Sequence, residues 1–276
     1  MEEKEYYTIG DVSKICNISK KALRFYDKIG LISPDKVSDD TNYRFYTRNT
    51  LLCVPIIKYY KQMGFKLDEM TELLEGNSYV MFEKNFRRKI EELKDLEKHI
   101  YEKYVSVKDW YELIVEAELV IDNGVNEVSV KYVDASDYIF LEQDFDYNYM
   151  ESIINIDFTN YIESIHNAIT GPVMINFHSY EERMQGEAKR VRIMQKAILD
   201  CKETETVRFG GCMMATCYHI GPYENINETY QKVQDWGNAH GYTLGEESFE
   251  RYVTDYWTTR KSEQFVTEIM IQVSRA

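Results

Sequence analysis

The chain has 276 residues, room for about two domains and a connector, and its lack of any apolar run of 18 residues excludes a membrane-spanning helix. Its formal net charge of -14 argues against a polyanion as partner, but the charge is unevenly placed: residues 1–76 carry 12 basic and 12 acidic residues, 77–276 carry 21 and 35, and 7–66 carry 11 and 5. Five cysteines with no CxxC pair, and an acidic start (MEEKEYYT) with no apolar run behind it, give the expectation of a cytoplasmic protein with free thiols.

Thr8 to Cys16 is predicted to be a short helix, capped by Thr8, with Ile9, Val12 and Ile15–Cys16 as its apolar face. Asn17-Ile18 makes a turn. Ser19 caps a second helix running to Ile29, with Ala22, Phe25 and Ile29 as its core stripe and Gly30 as its end. Two short helices across a tight turn form a helix-turn-helix. The segment Tyr43-Arg44-Phe45-Tyr46 is expected to form a hairpin wing, followed by a helix that Thr47 caps and that runs to about Met63, and another from Leu67 to Glu75. From about Tyr79 to Glu118 there is no Gly or Pro, and Phe86, Leu93, Ile100, Val107 and Ile114 fall seven apart, the seam of a coiled coil. After a hinge at Asp122-Asn123-Gly124 the pattern turns β-rich. Strands are expected at 128–132, 138–142, 172–178 and 187–194, with a helix through Ile154, Phe158, Tyr161 and Ile165. The segment from Thr206 repeats the plan, with strands through 213–219, 249–256 and 264–273 and a helix through Tyr230, Val233 and Trp236.

The expected fold class is α+β: a mainly α N-terminal winged helix-turn-helix over 1–76, a long coiled-coil dimerisation helix over 77–120, and a C-terminal α+β effector domain of duplicated β-α-β-β units over 125–276. On the second helix, Ser19, Lys20, Lys21 and Arg24 lie away from the core stripe, with Lys20, Arg24 and Lys28 at four-residue spacing. Arginine reads guanine edges, while lysine and hydroxyls anchor phosphates. Asn42, Tyr43, Arg44 and Tyr46 of the wing, and Lys58 and Lys61 of the next helix, complete the candidate DNA-binding set.

These segments, TIGDVSK, LRFYDKIGL and NYRFY in order, resemble the MerR family of transcription regulators over residues 6–75. The whole chain resembles that family's BmrR-like multidrug-binding branch, which adds a GyrI-like effector domain. The resemblance implies a homodimer through the 77–120 helix that binds a palindromic site in double-stranded promoter DNA, deforms it, and so acts indirectly on RNA polymerase. It also implies that Arg24, Tyr26, Tyr43, Arg44 and Lys61 touch DNA.

No cysteine lies between Cys53 and Cys201, so a thiolate metal site just past the dimer helix is excluded; neither metal nor cofactor is expected. The effector is expected to be a hydrophobic, cationic small molecule. On the 249–256 strand Glu250, Tyr252 and Tyr256 share a face, pairing a carboxylate with rings. Glu268, between Val266 and Met270, is a second carboxylate in an apolar run. The resemblance places Glu250 at the family's drug-binding glutamate and adds Asn155, Phe158, Ile226, Glu263 and Phe265 as ligand-binding positions. GyrI-like domains include hydrolases, so Glu250 as general base beside Tyr252 or Tyr256 is the enzymatic alternative, although no catalytic residues are assigned. A protein-binding second domain is the third reading.

Overall fold

The computed structural model describes residues 5–76 and 78–275. The expected boundary at residue 77 falls on Asn77, which with residues 1–4 and Ala276 lies outside the described residues. The chain divides into two compact units, residues 1–98 and 99–276.

In the first unit, β1 (Tyr7–Thr8) leads into α1 (Ile9–Ile15), α2 (Lys20–Lys28), β2 (Lys36–Val37), β3 (Arg44–Tyr46), α3 (Arg48–Gln62), α4 (Leu67–Glu75) and the start of α5 (Tyr79–Asp122). Thr8 and Asp11 form a reciprocal capping box on α1, and Ser19 Oγ accepts the Ala22 N–H at 3.0 Å to start α2. Asn17 takes a left-handed φ of 46° in the turn between them. The three strands pair in the order β1-β3-β2, giving the wing. The expected stripe of α2 is corrected by about one residue, or 100°. Leu23 and Tyr26 are buried while Phe25 and Ile29 are exposed, because the core is completed by Leu31 and Ile32 just beyond the helix. Ile15, placed on the core face of α1, is also exposed. Phe86 of α5 packs on Phe65, ring centroids 5.2 Å apart.

In the second unit, the remainder of α5 is followed by β4 (Ser129–Val133), β5 (Ser136–Asp144), α6 (Tyr149–Ile153), α7 (Ile156–Ser164), β6 (Ile169–Phe177), α8 (Tyr180–Gln185), β7 (Arg190–Ala197), β8 (Thr206–Phe209), β9 (Cys212–Ile220), α9 (Ile226–His240), β10 (Tyr242–Thr254) and β11 (Val266–Arg275). The strands form one eight-stranded sheet in the order β4-β9-β11-β10-β6-β7-β5-β8, and every pairing is antiparallel. The expected duplication is visible in this order. Within β5-α-β6-β7 and within β9-α9-β10-β11, the third strand lies between the first two, and the halves meet where β10 pairs with β6. The expected helix through 154–165 is α7, started where Asn155 Oδ1 accepts the Phe158 N–H at 2.7 Å, and the short α6 ahead of it was not expected.

The sheet's two faces are packed differently. Phe158 and Ile162 of α7 and Tyr230 and Val233 of α9 belong to clusters with Ile175, Tyr252, Ile269 and Ile271. Leu113, Ala117 and Val120 of α5 pack on Val253 and Val266, residues of opposite parity on β10 and β11.

The turn from β8 to β9 is Gly210-Gly211, both at positive φ. A Cβ on Gly210 would lie 2.3 Å from the Asp134 carbonyl oxygen. Gly210→Ala is therefore expected to destabilise the protein by about 2 kcal/mol or more, read as a drop of several degrees in melting temperature. An unchanged melting temperature would show that the turn relaxes freely.

Candidate functional site

The first candidate surface is basic. Lys20, Lys21, Arg24 and Lys28 of α2 are all exposed, as is Ser19. Tyr43 and Asn42 stand exposed at the tip of the wing, Asn42 at a left-handed φ of 51°. Lys61 is exposed on α3. Four of the expected residues are used inside the unit instead. Tyr46 is 1% exposed and Tyr26 is also buried; both are core residues, which corrects their placement on the DNA surface. Lys58 donates to the carbonyls of Cys16 at 2.6 Å and Asn17 at 3.2 Å, so its ammonium caps the end of α1. Arg44 donates from Nε to Asp27 at 2.7 Å, tying the wing to α2.

The second candidate surface lies in the unit of residues 99–276, where Glu250 was expected to await a cation. Its carboxylate is already matched. Arg183 Nε donates to Glu250 Oε1 at 2.8 Å, Tyr230 donates to the same oxygen at 3.0 Å, and Tyr252 donates to Oε2 at 2.6 Å. Arg183 is 3% exposed and Glu250 fully buried. The guanidinium also donates to Asn227 Oδ1 at 3.1 Å and to the Tyr149 hydroxyl. Rings surround it: Phe177, Tyr230, Tyr147 and Tyr149 have centroids 5.2, 5.3, 5.6 and 5.7 Å from its Cζ. Burial opposes the charge on Arg183, but Glu250 outweighs it and holds the guanidinium protonated. The three hydrogen bonds on Glu250 also leave a general-base role without geometric support.

Two cavities flank this pair. The first, about 290 Å³, is lined by Trp110 and Leu113 of α5, Asn155, Phe158, Tyr252, Asp255 and Trp257 among others. The second, about 400 Å³, is lined by Tyr147, Tyr149, Arg183, Tyr223, Asn227 and Tyr256 among others. Glu250 lines neither. Asn155, Phe158 and Tyr252 thus come together in one cavity and Tyr256 stands in the other, because the β10 strand ends at Thr254 and the alternation that grouped Tyr252 with Tyr256 stops there. Three expected ligand residues are corrected on position. Ile226 is core with Tyr230 and Val233, Glu263 is exposed on a turn, and Phe265 is buried in a stack on Tyr223 at 5.1 Å.

Glu268 is also corrected. It faces α5 and sits between Lys131 and Arg251, whose Nε donates to it at 2.8 Å. Arg251 also donates to both oxygens of Glu116 on α5, and Tyr218 donates to Glu116 Oε1 at 2.7 Å. Burial alone would raise the Glu268 carboxyl, but Arg251 and Lys131 outweigh it and hold it below the usual range.

The residues that pattern reading missed are Arg183, Asp255, Trp110, Tyr149 and Tyr223. Asp255 is 4% exposed, and its side chain accepts the Trp257 N–H at 2.8 Å. Burial pushes its carboxyl up to about 6, with the Trp257 hydrogen bond opposing.

A winged helix-turn-helix with an exposed basic helix, joined through a long helix to a cavity-bearing sheet domain, defines a ligand-responsive DNA-binding transcription regulator. Comparison with known proteins carries this further. Residues 7–77 match the MerR HTH family of regulatory proteins, and residues 126–274, more than half of the chain, match the GyrI-like small molecule binding domain. The chain belongs to the GyrI-like family and carries a MerR-type helix-turn-helix ahead of that domain. It is 26% identical to the multidrug-efflux transporter 2 regulator of Bacillus subtilis (strain 168), covering 98% of this chain and 97% of that one. It is 40% identical to the multidrug-efflux transporter 1 regulator of the same strain, over 36% of this chain and 37% of that one. Among solved structures it is similar to that of an EcmrR–DNA complex, with TM-score 0.48 and 20% identity, over 98% of this chain and 100% of that one. Among the described residues no helix is long and apolar enough to cross a membrane.

Two substitutions separate the roles of the acids. Glu268→Gln leaves Arg251 and Lys131 without their shared buried partner and is expected to cost about 3 kcal/mol in chemical denaturation, while Glu263→Gln on the exposed turn stays within about 0.5 kcal/mol. Equal effects would contradict the assignment. For Asp255 the raised carboxyl sets the sign. The unfolded carboxyl ionises near 3.8 and the buried one near 6, so stability falls as pH rises between those values and stays lower above them. The hydroxyls on which its charge acts are those of Tyr223 and Tyr256. Relative to Asp255→Asn, the wild-type melting temperature is expected to fall from about pH 4 to pH 6; a constant difference would contradict the assigned burial.

Proposed function

We propose that this chain is a homodimeric, cytoplasmic transcription regulator that binds a palindromic promoter site, deforms the duplex, and raises transcription when its C-terminal domain binds a hydrophobic cation. In this reading residues 1–76 hold DNA, 77–120 pair two copies, and 125–276 hold the effector. The observation that carries DNA binding is the exposed row Lys20, Lys21, Arg24 and Lys28 on a helix whose opposite side is core. The wing adds Tyr43 and Asn42, with Arg44 placing it through Asp27. Pairing is supported by α5, where Leu93, Leu96, Ile100, Val107 and Ile114 are exposed in a single chain. A second copy would take these apolar side chains out of water. The names of the two Bacillus relatives support a multidrug-type effector and control of an efflux gene. The aromatic linings of both cavities fit a flat, apolar molecule.

A nuclease footprint of the full chain on its own promoter region tests this reading. A protected inverted repeat is expected, with affinity that falls steeply with salt. Arg24→Ala should weaken specific binding by roughly 10- to 100-fold, and Lys61→Ala should lower the salt slope by about one. Absence of protection at low salt would refute the proposal.

A further inference from the structure

Of the sensing domain's buried carboxylates, Glu268 is held by Arg251 and Lys131, and the other two, Glu250 and Asp255, differ in one respect. Glu250 has its countercharge, Arg183, inside the fold. Asp255 has none: among the described residues no lysine, arginine or histidine pairs with it, and the hydrogen bond it accepts comes from the Trp257 backbone. A buried acid held by one neutral donor is an expensive arrangement unless something else meets it. Asp255 is among the residues that line the cavity walled by Trp110, Phe158, Tyr252 and Trp257. Ring faces attract cations, and a carboxylate in water-poor surroundings strengthens that attraction. A second polar group nearby is also unmet. The Tyr223 hydroxyl is buried with no hydrogen-bond partner among the described residues, and Asp255 is the charge that acts on it most. A bare metal ion fits poorly, since it needs several oxygen ligands and the walls are mostly rings. An anion would meet the carboxylate directly.

We propose that Asp255, and not Glu250, is the charge-recognising residue for a flat aromatic monocation bound among Trp110, Phe158, Tyr252 and Trp257. This rests on the small-molecule-sensing reading above and names the group that selects the ligand's charge. Arg183 is the chain's own guanidinium in an aromatic cage, and it removes Glu250 from competition for the ligand. Because Trp110 and Leu113 belong to α5, a ligand in this cavity touches the helix that carries the heptad seam.

The test is a titration of the full chain at about pH 8 with N-methylacridinium and with acridine, which is uncharged at that pH, followed by tryptophan fluorescence. The two probes share their ring area, so the ratio of their affinities reads charge recognition alone. The wild type is expected to prefer the cation by about tenfold. Asp255→Asn should bring the ratio to about one, while the double variant Arg183→Gln with Glu250→Gln should keep it near tenfold. Far-ultraviolet circular dichroism checks folding. Should Asp255→Asn not fold, Trp257→Lys, which sets an ammonium on the cavity's exposed rim, is expected to collapse the ratio in the same way. A ratio unmoved by Asp255→Asn (or, where that variant does not fold, by Trp257→Lys), a ratio lost in the double variant, or a wild type that shows no preference or binds neither probe, would overturn the assignment. None of these results touches the DNA footprint, which judges the regulator reading separately.

Discussion

The Arg183–Glu250 pair holds the sensing domain's two halves to one another. α8 is a short helix between β6 and β7, started by Ser179 and ended by Gly186 at a left-handed φ. It delivers one guanidinium into the seam where β10 of the second half meets β6 of the first. From there Arg183 reaches Tyr149 of the first half, and Asn227 and Glu250 of the second. With both charges out of water, neither is tolerable alone, so the halves are held in one register by electrostatics as well as by the β10–β6 ladder. Tyr149 of this cage lines one cavity together with Tyr223, and Tyr252, which donates to Glu250, lines the other. Tyr149, Tyr223 and Tyr252 pack edge to face or tilted on one another at centroid distances of 4.7 to 6.4 Å.

The next residue along β10 does the equivalent work on the other face. Arg251 lies directly across from Glu268 in the β10–β11 register and extends to Glu116 of α5. Together with Leu113, Ala117 and Val120 packed on Val253 and Val266, this cluster fixes the end of the long helix to the sheet. Consecutive residues of one strand thus perform two tasks: Glu250 closes the interior between the halves, and Arg251 grips the helix. Asp255 follows where the strand stops, at a bend in which its backbone carbonyl accepts from Thr258 and Thr259, its side chain accepts from Trp257 N, and the residue lines the cavity.

Much of this was legible in the sequence. Thr8, Ser19 and Thr47 cap the helices they were expected to cap, the wing forms at Arg44–Tyr46, and the duplicated β-α-β-β plan appears as matching strand orders. These features depend on local chemistry and periodicity. The misplaced residues depend on long-range packing. Phe25 and Ile29 sat on a plausible stripe, but Leu31 and Ile32 closed the core from beyond the helix and turned it. Tyr46 and Lys58 have the right chemistry for DNA, yet one fills the core and the other caps α1 across 42 residues of chain. Glu250 was expected to meet the ligand's charge, and it is buried against Arg183 instead. Its partner could not be read from sequence, because Arg183 is 67 residues away on a helix too short for periodicity to reveal. Asp255 escaped notice because strict alternation puts it on the face opposite Glu250 and Tyr252, whereas the strand ends one residue earlier.

The central claim is that the fold neutralises Glu250 internally and leaves Asp255 to meet the effector's charge. A crystal structure of the full chain grown with N-methylacridinium tests it most directly. The account predicts the acridinium ring between Trp110 and Phe158 beside Asp255, with the Arg183–Glu250 ion pair intact. A cation seated against Glu250 with Arg183 displaced would contradict it.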